Sequence, residues 1–153
     1  MDDKDRQIIR ELQKDARLTN LELSERVNLS PSPCLRRVKL LEESGIIHGY
    51  TALINQKEYG VPITAFVRIS LTQHEQDTVT DFEQHVANIE EIQDCYLITG
   101  KTDYMLRVVT SSHDSYEDFV REKLHKIEGI QSIDTSFAYS AVKQSNIYPR
   151  FIK

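Results

Sequence analysis

Tryptophan is missing from this chain, and cysteine (two), methionine (two), proline (four) and glycine (five) are all scarce. So little glycine and proline excludes collagen-like and low-complexity classes and points to a folded chain. Two cysteines are too few for a disulfide framework. Cys34 and Cys95 lie far apart, in segments that read as different domains and outside any Cys-x-x-Cys spacing, so free buried thiols in a reducing compartment are expected. Long apolar runs are absent too. The best candidate, Ile63 to Leu71, is broken by Thr64, Arg68 and Ser70 and falls well short of the ~20 residues that cross a bilayer. The N-terminus, "MDDKDRQIIREL", is acidic and amphipathic, without the basic start and apolar centre of a secretory signal. A cytoplasmic protein with no membrane partner is expected. What is present is 39% hydrophobic residues in 153, enough for one or two modest cores.

The net charge of -5 argues against a nucleic-acid binder until it is divided along the chain. Residues 1–60 carry ten Lys/Arg and ten Asp/Glu, whereas residues 61–153 carry nine and fourteen, so the whole deficit lies in the second half. Within the neutral half, residues 31–41 hold Arg36, Arg37 and Lys39 and no acid. A local cationic patch governs phosphate contact more than the overall balance does.

Periodicity builds a helical module around that patch. Ile8, Ile9, Leu12 and Ala16 share one arc of a first helix over residues 4–16. "LTNLELSERVNLS" gives a short second helix, with Thr19 or Asn20 as N-cap and Asn28 as a left-handed stop. Ser30 then caps a third helix with Pro31 at its first position, where a missing N–H costs nothing, and Gly45 ends it. Two short helices joined by a turn of three or four residues match a helix-turn-helix. On the third helix Cys34, Val38 and Leu41 cluster on one side with Leu35 at its edge. Ser32, Arg36 and Lys39 point the opposite way, with Leu40 outward and Arg37 on a flank. The N-terminal part of such a helix is the part that enters the major groove. "IIHGYTALIN" alternates around Gly49 and reads as a strand, a wing or interdomain connection. The polar "NQKEYGVP" marks a boundary near residue 60.

The second half repeats a pattern. Ile63, Ala65, Val67, Ile69 and Leu71 alternate with Thr64, Phe66, Arg68 and Ser70, as on the two faces of a strand. Val79, Phe82, Val86 and Ile89 mark a helix, and "DCYLITG" a strand. "DYMLRVVT" is another strand; Tyr116, Phe119, Val120, Leu124 and Ile127 mark a second helix closed by Gly129, and "IDTSFAYSAV" a last strand. Phe82 and Phe119 stand 37 residues apart, as do Val79 and Tyr116, so the segment is two β-α-β units. The expected class is α+β: an N-terminal winged helix-turn-helix over 1–60, then a ferredoxin-like βαββαβ sandwich over 61–153. With both helices on one side, Phe66, Met105 and Val109 are left on a bare sheet face. Face-to-face packing of two copies, a homodimer, would cover it.

Catalytic and metal signatures are missing. "GKT" at residues 100–102 lacks the glycine five residues earlier that a phosphate loop needs, Cys95 standing there. The histidines, at 48, 74, 85, 113 and 125, form no i, i+4 pair, and no nucleophile elbow occurs, so no enzyme is expected. One stretch does resemble a site. "ITGKTDYML" sets a glycine turn and Asp103 between two strands, where amides and a carboxylate can hold the two charged ends of a free amino acid, or form an ordinary solvated hairpin.

Taken together and in order, the start from Asp2 to Leu12, "LTNLELSERVNLSPSPCLRRVKLLEESGII", "GYTALIN", "TGKTDYMLRV" and the closing "VKQSN" resemble the Lrp/AsnC family, the leucine-responsive or feast/famine regulators. The resemblance covers essentially the whole chain. It implies a regulator that binds double-stranded DNA through its N-terminal domain and senses a free amino acid, leucine or methionine for instance, through its C-terminal domain. It also implies dimers that assemble into octamers or other higher oligomers; no cofactor besides the amino-acid effector is expected. By position, Ser32, Pro33, Arg36, Arg37 and Lys39 would face DNA. The effector pocket, between dimers around the Gly-x-x-Asp turn, would draw on Thr99, Gly100, Thr102, Asp103 and Tyr104, joined by Thr135 and Ser136 from the last strand. A stand-alone amino-acid-binding module acting on a protein partner is the alternative; it needs only the second half and shows no salt-dependent DNA affinity.

Overall fold

The computed structural model describes residues 1–149. The described residues divide into two compact units, residues 1–53 together with residues 142–149, and residues 54–141.

The first unit is built on three helices, α1 (Asp3–Lys14), α2 (Asn20–Arg26) and α3 (Pro31–Glu43). Reciprocal capping boxes start the first two. Asp5 N–H donates to Asp2 Oδ1 at 2.9 Å while Asp2 N–H donates to Asp5 Oδ2 at 2.7 Å. Thr19 and Glu22 repeat the arrangement on α2. Asn28, with φ +52, turns the chain between α2 and α3, and the Asn20 amide reaches across to donate to the Pro31 carbonyl at 2.9 Å. Ser30 occupies the N-cap of α3, but its hydroxyl makes no capping hydrogen bond. The third helical position is Pro33, which has no N–H to offer such a cap. Ile8, Leu23, Val27, Cys34 and Leu41 form the core, with Ile9, Leu12, Leu18, Leu29, Val38 and Ile47 around it. Ala16 lies beyond the end of α1 and is exposed. Residues 46–54 pair with no strand among the described residues, and Leu53 and Ile54 are exposed. Alternating apolar residues give a strand only where a ladder partner exists.

The second unit runs α4 (Gln56–Tyr59), β1 (Ile63–Leu71), α5 (Gln76–Ala87), β2 (Ile92–Leu97), β3 (Tyr104–Thr110), α6 (His113–Glu122), a 3-10 turn at Leu124–Lys126, and β4 (Ile130–Phe137). The strands form one antiparallel sheet in the order β2-β3-β1-β4. Ala65, Val67, Ile69 and Leu71 of β1 and Tyr104, Leu106 and Val108 of β3 are buried in one core with Phe82 and Val86 of α5 and Tyr116 and Phe119 of α6. Both helices therefore cover one face, as the alternation predicts. The second helix ends earlier than its apolar spacing suggests, because Leu124 and Ile127 enter the core from the 3-10 turn. β4 stops at Phe137, beyond which Tyr139 and Val142 stand exposed.

The opposite face carries Phe66 and Arg68 on β1, Met105, Arg107 and Val109 on β3, Tyr96 on β2, and Asp134 and Ser136 on β4. Arg68 pairs with Asp134 at 3.0 Å, and Arg107 with Asp94. Its cations are thus matched by carboxylates of the same sheet, around apolar Phe66, Met105 and Val109. The thiols are free, as expected, but only Cys34 is buried. Cys95, on the edge strand β2, is exposed.

Candidate nucleic-acid interface and effector turn

α3 presents its two faces as its periodicity requires. Cys34 and Leu41 are buried and Val38 is half-buried, while Ser32, Pro33, Arg36, Lys39 and Leu40 are exposed along the other side. Arg36 and Lys39 sit one helical turn apart on that side, with Ser32 and Pro33 in the first turn. No acid lies in the first turn of α3, so the helix N-terminus, which favours anions, is left electropositive. Arg37 is placed differently. Its Nη1 donates to Asp2 Oδ2 at 2.8 Å and to Asp5 Oδ1 at 2.7 Å, both on the start of α1. These bonds and the two negative charges hold the guanidinium firmly protonated, while the Asp5 amide first, and Arg37 second, hold the Asp2 carboxyl below its usual range. Sequence reasoning missed these partners, which lie 32 and 35 residues away and leave no local signal.

A second cluster sits where β2 turns into β3. Ile98 N–H donates to the Asp103 carbonyl at 2.8 Å, closing the turn that contains Thr99, Gly100, Lys101 and Thr102. Gly100 has φ +128, a conformation that other residues rarely adopt. Asp103 is bound to β1 twice, through its N–H to the Ile69 carbonyl at 2.9 Å and through Oδ2, which accepts from the Leu71 N–H at 2.8 Å. Its other oxygen, Oδ1, lies 2.8 Å from His74 Nε2. The Leu71 amide first, and His74 second, hold the Asp103 carboxyl below the ordinary carboxylate range. At neutral pH the turn therefore carries a fixed anion beside exposed backbone.

Thr99, Gly100, Thr102 and Asp103 are thus brought together. The Tyr104 side chain is turned away: it is buried against Phe82, and its hydroxyl donates to Glu83 at 2.7 Å, while burial pushes its ionisation far up. Thr135 and Ser136 on β4 pair with Val67 and Phe66, whereas the turn adjoins Ile69 and Leu71 from the β3 side, so within one chain β1 stands between the two and the turn. Thr135 meets the Tyr116 hydroxyl on the helix-covered side, and Ser136 accepts from Arg68 at 3.3 Å on the open side. His74 was not foreseen. The antiparallel register that pairs Ile69 with Tyr104 is the signal that could have found it, since it brings the residues after β1 beside those before β3.

A helix-turn-helix with a cationic outward helix, joined in one chain to an α+β sandwich bearing an anionic turn, defines a DNA-binding transcriptional regulator with a ligand-binding domain. Residues 1–48 match the winged helix-turn-helix DNA-binding model and residues 64–148 the Lrp/AsnC ligand binding domain. The leucine-responsive regulatory protein of Escherichia coli is 42% identical over 142 residues, 93% of this chain and 87% of that protein. The transcriptional regulator AzlB of Bacillus subtilis is 37% identical over 149 residues, 97% of this chain and 95% of that one. Among solved structures, a transcriptional regulator of Neisseria meningitidis in complex with L-methionine superposes with a TM-score of 0.93 at 38% identity, covering 97% of this chain and 96% of that one. AsnC of Escherichia coli gives 0.88 at 26%, covering 97% and 99%. The chain belongs to the Lrp/AsnC family of transcriptional regulators. A stand-alone ligand-binding module leaves residues 1–48 unaccounted for. Among the described residues no helix is long and apolar enough to cross a membrane.

Proposed function

We propose that residues 1–60 work as the operator-binding module and residues 61–153 as the module that senses an amino acid and assembles copies of the chain. Ser32, Pro33, Arg36 and Lys39 face the duplex, and Arg37, on their flank and tied to Asp2 and Asp5, sets the pose of the helix that carries them. The observation that carries this reading is the division of α3 between a buried Cys34/Leu41 side and an exposed, acid-free Ser32/Arg36/Lys39 side. The open sheet face supports a homodimer: its charges are matched by Asp94 and Asp134 within the chain, so two copies can bury Phe66, Met105 and Val109 without repulsion. A dimer presents two recognition helices to a pseudo-palindromic site.

The effector turn works through its fixed anion, Asp103, which attracts an ammonium, and through the backbone of Thr99–Thr102, which faces a carboxylate. Tyr104 supports the turn from beneath, through Glu83. Thr135 and Ser136 join a turn from another copy in this reading, with the pocket at a seam between dimers in an octamer or other higher oligomer. Amino-acid binding then shifts the assembly by its differential affinity, and with it the engagement of DNA. Leucine and methionine are the first candidates, and the cytoplasm is the compartment. The test is fluorescence anisotropy of the full chain on labelled operator DNA across a salt series, with each of the twenty amino acids added and light scattering alongside. Salt-dependent binding that one amino acid alters together with the particle mass is expected. DNA affinity without salt dependence, or a mass and affinity blind to every amino acid, overturns the reading.

A further inference from the structure

We infer that His74 sets effector affinity at this turn by occupying the Asp103 carboxylate oxygen that an amino acid's ammonium group takes. The inference rests on the effector reading given above. Oδ2 of Asp103 is committed: it accepts the Leu71 amide at 2.8 Å, a bond that extends the β1–β3 pairing past Ile69 and Tyr104 and fixes how the carboxylate is turned. Oδ1 is then the oxygen left for a ligand, and His74 Nε2 lies on it at 2.8 Å. The two positions differ in how easily they are vacated. The amide belongs to a strand in mid-sheet, whereas His74 sits in the irregular segment between β1 and α5 with its side chain 70% exposed. An imidazole there can leave into water at little cost, so it is a displaceable donor.

What displaces it follows from donor chemistry. A neutral imidazole offers Oδ1 one N–H, while an α-ammonium offers three and a full charge. The ammonium therefore wins against neutral His74. Protonated His74 is itself a cation on the same oxygen, and the competition then tightens. Charged groups on the segments adjoining His74 are Lys101 on the turn, Glu75 next to His74 in sequence, Asp77 in the first turn of α5 and Glu128 before β4, where the Gly129 carbonyl accepts from Thr72. All are exposed, and an imidazole is the kind of side chain that changes its charge between about pH 6 and pH 8. Effector affinity therefore falls with acidification through His74.

The experiment is calorimetric titration of the full chain with L-leucine and with L-methionine, at about pH 8 and about pH 6. The proteins are the wild type, His74→Ala, His74→Gln and Asp103→Asn. The wild type is expected to bind the better of the two about fivefold more weakly at the lower pH, the difference between a neutral and a charge-assisted hydrogen bond. His74→Ala binds at least as tightly as the wild type at the higher pH and loses nothing on acidification. His74→Gln, which keeps a donor that does not titrate, is equally flat, and Asp103→Asn binds much more weakly. A wild-type pH dependence that survives in both His74 variants overturns the inference and leaves the effector reading standing, as does weaker binding by His74→Ala at both pH values. If the wild type binds neither amino acid, or Asp103→Asn binds like the wild type, the effector reading fails and takes the inference with it.

Discussion

Arg37 and Asp5 meet at 2.7 Å, joining the middle of the recognition helix to the first turn of α1. The pair is partly sheltered, with 29% of the Arg37 side chain and 15% of that of Asp5 exposed. The same nitrogen reaches Asp2, whose own carboxylate caps α1. Two carboxylates more than offset the charge that Arg37 would bring to a phosphate, and the contact fixes where α3 lies against α1, and hence where Arg36 and Lys39 point.

The first prediction separates these roles by salt. Each phosphate that a side chain neutralises contributes about 0.9 to the slope of log affinity against log salt. Arg36→Ala and Lys39→Ala should each lower that slope by about 0.9, with the fold intact by circular dichroism. Arg37→Ala should weaken operator binding and lower the unfolding midpoint while leaving the slope nearly unchanged, and Asp5→Asn should do the same. An Arg37→Ala slope reduced as far as that of Arg36→Ala would make Arg37 a phosphate contact.

The contrast between Arg36 and Arg37 shows how much was legible. The faces of α3 and of β1 follow from spacing of three to four and of two residues, so local order placed Cys34 and Leu41 inside and Arg36 and Lys39 outside. Arg37 falls on the flank in the same projection, and there its environment is decided by residues 32 and 35 positions away. Asp103 was singled out as a carboxylate in a glycine turn. Its partners on β1 and His74, 29 residues before it, become neighbours only once the sheet register exists. Residues 46–54 err in the other direction: their alternation is genuine, but nothing among the described residues pairs with them. The apolar spacing of α6 likewise continues through Leu124 and Ile127 after the helix itself has ended.

Gly129 allows a direct test of the packing between α5 and the start of β4. Its φ is +85, and a Cβ built there would stand 2.6 Å from Cγ2 of Thr78. Gly129→Ala meets both a left-handed backbone penalty and a steric one, and should destabilise the chain by ~1–3 kcal/mol in urea unfolding. Thr78→Ser removes the obstructing methyl. The double variant should recover the steric share and keep the backbone share, which a double-mutant cycle reads as a coupling between the two positions. Strict additivity would mean that backbone conformation alone carries the cost.

Cys95 should be slower to react than its exposure suggests. Its surroundings form a cavity of about 250 Å³ with Glu83, Val86, Ala87, Leu97 and Tyr104. Burial there, and then the Glu83 charge, raise the thiol from an ordinary 9.0 to about 11. Near neutral pH this thins the reactive thiolate about a hundredfold. Alkylation by iodoacetamide, followed by mass spectrometry, should therefore be slow at Cys95 in the native protein and fast in urea. Cys34, fully buried in the first core, should react only on unfolding. Rapid native labelling of Cys95 would show that its thiol points to solvent.

Acid should reveal how firmly the effector turn is built. The Asp103 carboxyl is held below the ordinary carboxylate range by the Leu71 amide and then by His74, so the folded state binds its proton less readily than the unfolded chain does. A depressed carboxyl stabilises the fold fully above its unfolded value, and the contribution drains away as pH falls through the folded one. Asp103→Asn removes the ionisation while keeping an oxygen that can accept from Leu71. The gap in thermal midpoint between wild type and Asp103→Asn should accordingly shrink steadily as pH falls below about pH 4. His74→Ala should narrow the gap without removing it, because the Leu71 amide is the larger cause of the lowered value. A gap that stays constant down to about pH 2 would mean that the carboxylate gains nothing from those partners, and the turn would then have no fixed anion to offer an ammonium group.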